Sequence, residues 1–181
     1  MRRLPTLWRR EVKGAFLSPV AWSLIAIFLL VSGYFFYSLL YLYGMESFEK
    51  MRLAEAVGPQ ELTVGHYALR PLVNNLGVVL LMLLPLVTMR LFSEEKRSGS
   101  IEMLFTWPLT DLEVTLGKYL AAVTVYAAML LPTLLFPLFL SFYGPTPWGH
   151  VGAAWLGLFL MGGAFIALGL FVSSLTENQV V

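Results

Sequence analysis

The apolar residues of this chain fall into four long stretches without a charged side chain, at residues 14–45, 71–89, 119–143 and 150–172. Each holds roughly the 20 residues that a helix needs to cross a bilayer. We read them as spans at 20–43, 71–89, 112–143 and 150–172. Ahead of the first lies a different pattern. Leu4, Leu7, Trp8, Val12, Ala15 and Phe16 share one helical face, and Arg9, Arg10 and Lys13 share the other. That spacing predicts an amphipathic helix over 4–18 with a basic polar side and an aromatic anchor. Glu11 falls inside the apolar face. It either snorkels toward the headgroups, the reading we favour, or pairs with a basic residue such as Arg90 or Arg97.

The polar segments set the remaining boundaries. Tyr34, Tyr37, Tyr41 and Tyr43 crowd the second half of span one, as an aromatic belt does. Residues 44–70 read as an external loop of mixed charge, whose first half can form a short helix ended by Gly58-Pro59. Asn74 and Asn75 sit near the outer end of span two. They can line a substrate path or hydrogen-bond a neighbouring helix, and packing is the commoner use. Pro85 should kink that span. Asp111 and Glu113 suit the first turn of the third helix, and Thr110 or Asp111 can cap it. Pro132 and Pro137 should interrupt its outer part. Lys118, two turns in, can snorkel to the surface. Gly144-Pro-Thr-Pro-Trp-Gly149 is a tight turn. The small residues of span four, among them Gly152, Gly157, Gly162, Gly163 and Gly169, suit close helix packing. Residues 173–181 then leave the membrane.

Composition supports this class. The 181 residues are 58% hydrophobic and 13% charged, and mean hydropathy is +0.75. Soluble domains carry about 25% charged residues. The uncharged run after Lys13 is far longer than the core of a signal peptide. Cysteine is absent, which excludes disulfides, thiolate metal sites and a cysteine nucleophile. Charge placement gives the orientation. Arg2, Arg3, Arg9, Arg10, Lys13, Arg90, Lys96, Arg97 and Lys118 lie on the side of the termini. Only Lys50, Arg52 and Arg70 lie opposite. The basic bias predicts that both ends of the chain, and the segment between spans two and three, are cytoplasmic.

That central segment, residues 90–108, gathers charge in a chain otherwise sparing of it: Arg90, Glu94, Glu95, Lys96, Arg97 and Glu102. After Gly99, Ile101, Leu104 and Phe105 fall at helical spacing, and Trp107-Pro108 stops the helix. A short polar helix with one apolar edge is well placed to be gripped by a soluble partner. Ser93-Glu94-Glu95-Lys96-Arg97-Ser98-Gly99-Ser100-Ile101-Glu102-Met103-Leu104, followed by Pro108-Leu109 and Leu116-Gly117-Lys118, resembles the cytoplasmic loop of ABC type-2 transporter permeases, gliding-motility-type branch. Ser18-Pro19-Val20-Ala21-Trp22, Ser32-Gly33-Tyr34-Phe35 and Ser173-Ser174-Leu175-Thr176-Glu177-Asn178-Gln179 are similar to the same branch.

The resemblance implies an all-α integral membrane protein with an N-terminal elbow helix along the inner leaflet, four transmembrane helices, and a cytoplasmic coupling helix over 93–107 between spans two and three. Type-2 permeases usually carry six spans, so the chain is expected to match one lacking its last two. The resemblance further implies docking of two copies of a separate ATPase subunit, which carries the ATP and Mg, through Glu94, Glu95, Lys96, Arg97, Ile101, Glu102, Leu104 and Phe105. It implies pairing with a second permease subunit as a homo- or heterodimer in the inner membrane, and no role for nucleic acid.

The residues themselves argue against chemistry in this chain. No G-x-x-x-x-G-K-[ST] loop exists to cradle phosphates. His66 and His150 are far apart and make no zinc pair. No serine has a histidine and an acid at a plausible shared site. We expect neither a catalytic centre nor a cofactor or metal bound by this chain. Two functions fit: a permease subunit of an ATP-driven exporter, or a membrane anchor that recruits a cytoplasmic partner without transport.

Overall fold

The computed structural model describes residues 4–57, 68–98, 111–142 and 146–175. The described residues are helical, with α1 at Leu4–Leu17, α2 at Pro19–Val57, α3 at Arg70–Ser98 and α4 at Asp111–Leu130. A 3-10 turn at Leu131–Leu134 then leads into α5 at Leu135–Leu140, and α6 spans Trp148–Leu175. Three stretches are long and apolar enough to cross a membrane: Pro19–Glu49, Leu112–Leu140 and Trp148–Ser173. The apolar part of α3, Arg70–Pro85, is shorter.

The break between α1 and α2 follows from Ser18-Pro19. Proline has no N–H to continue the first helix and turns its predecessor away from helical geometry, yet it suits the first position of the next helix. The Trp22 Nε1–H donates to the Phe16 carbonyl at 2.8 Å, and the two rings meet edge to face with centroids 6.0 Å apart. At the other end, α2 does not stop at Tyr43. It runs 39 residues to Val57, so the polar 44–57 stretch continues the span instead of starting a loop. One glycine, Gly44, costs a helix only about 1 kcal/mol, too little to end it. Gly58-Pro59 lies outside the described residues.

Proline shapes α4 as its positions predicted. The helix gives way at Leu130 to the 3-10 turn containing Pro132, and Pro137 lies in α5. In α3, Pro85 lies inside the helix, and its carbonyl accepts a bond from the Thr88 hydroxyl at 3.0 Å.

The bundle is organised around α3. Leu72, Leu76, Leu80 and Leu84 recur every fourth residue and are buried, forming the stripe against which α6 and α2 lie. α4 packs on α6, and α1 lies against α4 more than against its neighbour in sequence, α2. Specific seats fix α6. A Cβ on Gly162 would run into the ring of Tyr126, and one on Gly169 into Thr88. The span-four glycines with structural work to do therefore admit side chains from α4 and α3. Gly149, Gly152 and Gly157 would meet nothing within 4 Å.

Candidate functional site

Most of the residues singled out in the sequence lie at the end of the bundle where α1, the last turns of α3 and the start of α4 are found. Glu94, Glu95, Lys96 and Arg97 lie in the last turns of α3, which continues unbroken to Ser98. Residues 93–98 therefore prolong the second apolar helix, and the rest of the expected coupling helix, 99–107, lies outside the described residues. Ile101, Glu102, Leu104 and Phe105 lie outside the described residues. The described residues resume at Asp111, where α4 begins.

At that end α1 has a partner which the sequence did not announce. Leu7 is buried, and its Cδ2 would lie 2.7 Å from a Cβ placed on Gly117 of α4. The Trp8 Nε1–H donates to the Thr124 hydroxyl at 3.0 Å. Val12 and Phe16 are half-buried, and Arg9, Arg10 and Lys13 are exposed; the side chain of Leu4 lies outside the described residues. The amphipathic division holds, but α4 covers part of the apolar face that an elbow would rest on lipid. Glu11 is half-buried and has an interaction partner.

Lys118 differs from its expectation. It does not reach the surface: it is 2% exposed and has an interaction partner. The adjacent Gly117 seats Leu7 of α1. A buried ammonium tolerates that position only when compensated, because desolvating it unpaired costs several kcal/mol.

Some polar side chains of the apolar helices are tied to neighbouring helices and others to their own. Thr88 and Thr133 are buried. Thr133 donates to the Leu130 carbonyl at 2.7 Å and accepts the Trp155 Nε1–H at 3.0 Å. The Tyr126 hydroxyl donates to the Leu158 carbonyl at 2.6 Å, and the Tyr119 hydroxyl to that of Gly163 at 3.4 Å. Asn75 is half-buried and Asn74 exposed, so the two do not share a face. Sequence reasoning missed the exposed tyrosines of α2 as anything beyond an interfacial belt. Their three- and four-residue spacing was the available signal. Among the described residues no three His, Asp or Glu side chains gather where a metal ion could bind.

This is the architecture of a helical, multi-pass membrane protein whose polar groups mainly join its own helices. Residues 55–181 match the family described as ABC-2 family transporter protein. The chain belongs to that family, and so is a membrane component of an ABC transporter and not its catalytic part. Membership also implies an ATPase partner within the transporter system. Searches of curated proteins and of solved structures returned no match.

Proposed function

We propose that the chain is the permease subunit of an ATP-driven type-2 exporter of the inner membrane, related to the gliding-motility branch. It crosses the membrane four times, through α2, α3, α4 with α5, and α6. Its two ends and the segment between α3 and α4 face the cytoplasm. A separate ATPase, in two copies, docks on 93–107 and carries ATP and Mg, and two permease subunits form the path. The family match over residues 55–181 is the observation that carries this reading, since it includes the whole docking segment. The polar shoulder Glu94-Glu95-Lys96-Arg97 supplies orientation at the rim, and Ile101, Leu104 and Phe105 supply the apolar anchor, with Glu102 between them.

Buried anchors dominate interface energy, at about 2 kcal/mol or more each, whereas rim charges contribute little. Leu104→Ala with Phe105→Ala is expected to abolish co-purification with the ATPase while membrane levels stay normal, and Lys96→Ala alone is expected to be mild. Retention of the ATPase at wild-type stoichiometry by the double variant would remove this segment as the docking element. Reporter fusions at Gly99 and Val181 should read as cytoplasmic and at Gly58 and Gly144 as external; a cytoplasmic signal at Gly58 defeats the topology.

One observation favours a second reading, a membrane anchor that recruits a partner without transport. Thr88, Thr124 and Thr133, which could have wetted a path, are engaged within the bundle. Substrate-dependent stimulation of the partner ATPase by this subunit in vesicles decides between the two readings.

A further inference from the structure

We propose that the outward face of α1 binds the headgroup of an anionic phospholipid. Arg9, Arg10 and Lys13 are exposed, and Leu17 on the same helix is 84% exposed. At 3.6 residues per turn these four side chains fall within an arc of about 100°, which also holds Thr6. The one acidic residue of α1, Glu11, lies outside that arc, is half-buried and has an interaction partner. The arc therefore carries three cations and no anion. The opposite side of the helix is already occupied: Leu7 is buried against Gly117, and the Trp8 indole reaches Thr124. An interfacial helix ordinarily lays its apolar face on lipid and turns its cations toward water. Here α4 has taken part of the apolar face, so the cations are what α1 presents outward.

Depth and order fit that face to a lipid. Gly117 and Thr124 lie 5 and 12 residues past Leu112, the first residue of an apolar stretch that continues to Leu140. α1 thus lies alongside the apolar part of α4 and not beyond it. Arg10, Lys13 and Leu17 follow one another at steps of three and four, and the apolar run of α2 opens at Pro19. Trp22, just inside that run, is 58% exposed. Its N–H is already taken by the Phe16 carbonyl, so the ring offers an apolar surface. The outward stripe therefore passes from cations to apolar side chains in the direction of the membrane. A phospholipid presents phosphate and then acyl chain in the same order. Cations at such a depth need an anion close by. Arginine meets phosphate with paired hydrogen bonds, and each cation beside a span favours acidic lipid about five-fold.

The inference rests on the reading above that α2 enters the bilayer after Pro19, and the test separates the two. Because the chain has no cysteine, Leu17→Cys or Leu30→Cys, the latter exposed on α2, can carry a single bimane label. The full chain is placed in vesicles of phosphatidylcholine with a minor share of phosphatidylglycerol, and bromine is put on the acyl chains of one lipid or the other. At Leu17→Cys, brominated phosphatidylglycerol is expected to quench several-fold more than its share of the lipid, and at Leu30→Cys in proportion to its share. Arg9→Gln with Arg10→Gln and Lys13→Gln should abolish the excess while quenching at Leu30→Cys, the check on insertion, is unchanged. Lys50→Gln with Arg52→Gln and Arg70→Gln, which removes the same charge elsewhere, should keep the excess. Proportional quenching at both labels overturns the headgroup site and leaves the span standing. Quenching at neither label removes the span as well. An excess that survives the triple substitution in α1 assigns the lipid to other residues and overturns the proposal. So does an excess that inorganic phosphate displaces at constant ionic strength, which would make the cluster a site for soluble anions.

Discussion

α2 and α6 are both long apolar helices, yet their specific features lie on opposite sides. The inner face of α6 is cut to fit: Gly162 admits Tyr126, Gly169 admits Thr88, and the Leu158 carbonyl receives the Tyr126 hydroxyl. Its outer face carries Leu156, Leu160 and Leu168 among alanines and open glycines. α2 makes ordinary apolar contacts inward, one buried Ser32 hydroxyl without a hydrogen-bond partner among them, and presents its patterned tyrosines outward. In a membrane, lipid is as apolar as leucine, so burying an apolar face gives little net drive and specificity comes from close packing and hydrogen bonds. The side on which such features sit therefore marks the side on which a helix has a partner. α6 turns its fitted side toward α3 and α4, whereas α2 leaves its tyrosines on the exposed side.

The comparison can be broken most forcefully at Gly162. Gly162→Val should cost about 1–3 kcal/mol through overpacking against Tyr126, read as a lowered melting temperature in detergent. Gly157→Val, on the open side, should melt like the wild type. Equal damage at both positions would erase the distinction between the faces of α6. Next in size, Tyr126→Phe removes the 2.6 Å bond to Leu158 and should cost about 0.6 kcal/mol, and at most about 1.7. Trp8→Phe removes the tie from α1 to Thr124 at a comparable or smaller cost of about 0.6 kcal/mol. Its clearer readout is faster proteolytic clipping of the N-terminal helix. The smallest effect belongs to Tyr37→Leu, within about 0.5 kcal/mol, because its side chain is exposed. A large loss of monomer stability there would place the tyrosine face inside the bundle's own packing and undo the contrast.

Existence and type of the helices were legible because the signals are long and strong. Uncharged runs mark the apolar helices, Ser18-Pro19 separates α1 from α2, and Pro132 interrupts α4. What was not legible depends on which neighbour arrives. Nothing near Lys118 in sequence indicates that it will be buried, or that α1 will seat Leu7 on the neighbouring Gly117, since Leu7 and Gly117 are far apart along the chain. Glycine positions in α6 indicated close packing, but not that Gly162 and Gly169 face partners while Gly152 and Gly157 do not. The extension of α2 past Tyr43 was obscured by charge: Glu46, Glu49, Lys50 and Arg52 suggest a loop to a hydropathy reading, although each is compatible with a solvated helix. The charged run Glu94-Glu95-Lys96-Arg97 stood out in the sequence, but its continuity with α3 required the backbone.

The length of α2 carries a mechanical consequence. At about 1.5 Å per residue, its 39 residues make a rod of roughly 58 Å, close to twice the hydrocarbon thickness. A rod of that length converts a tilt of about 5° at one end into a shift of about 5 Å at the other, the pitch of one helical turn.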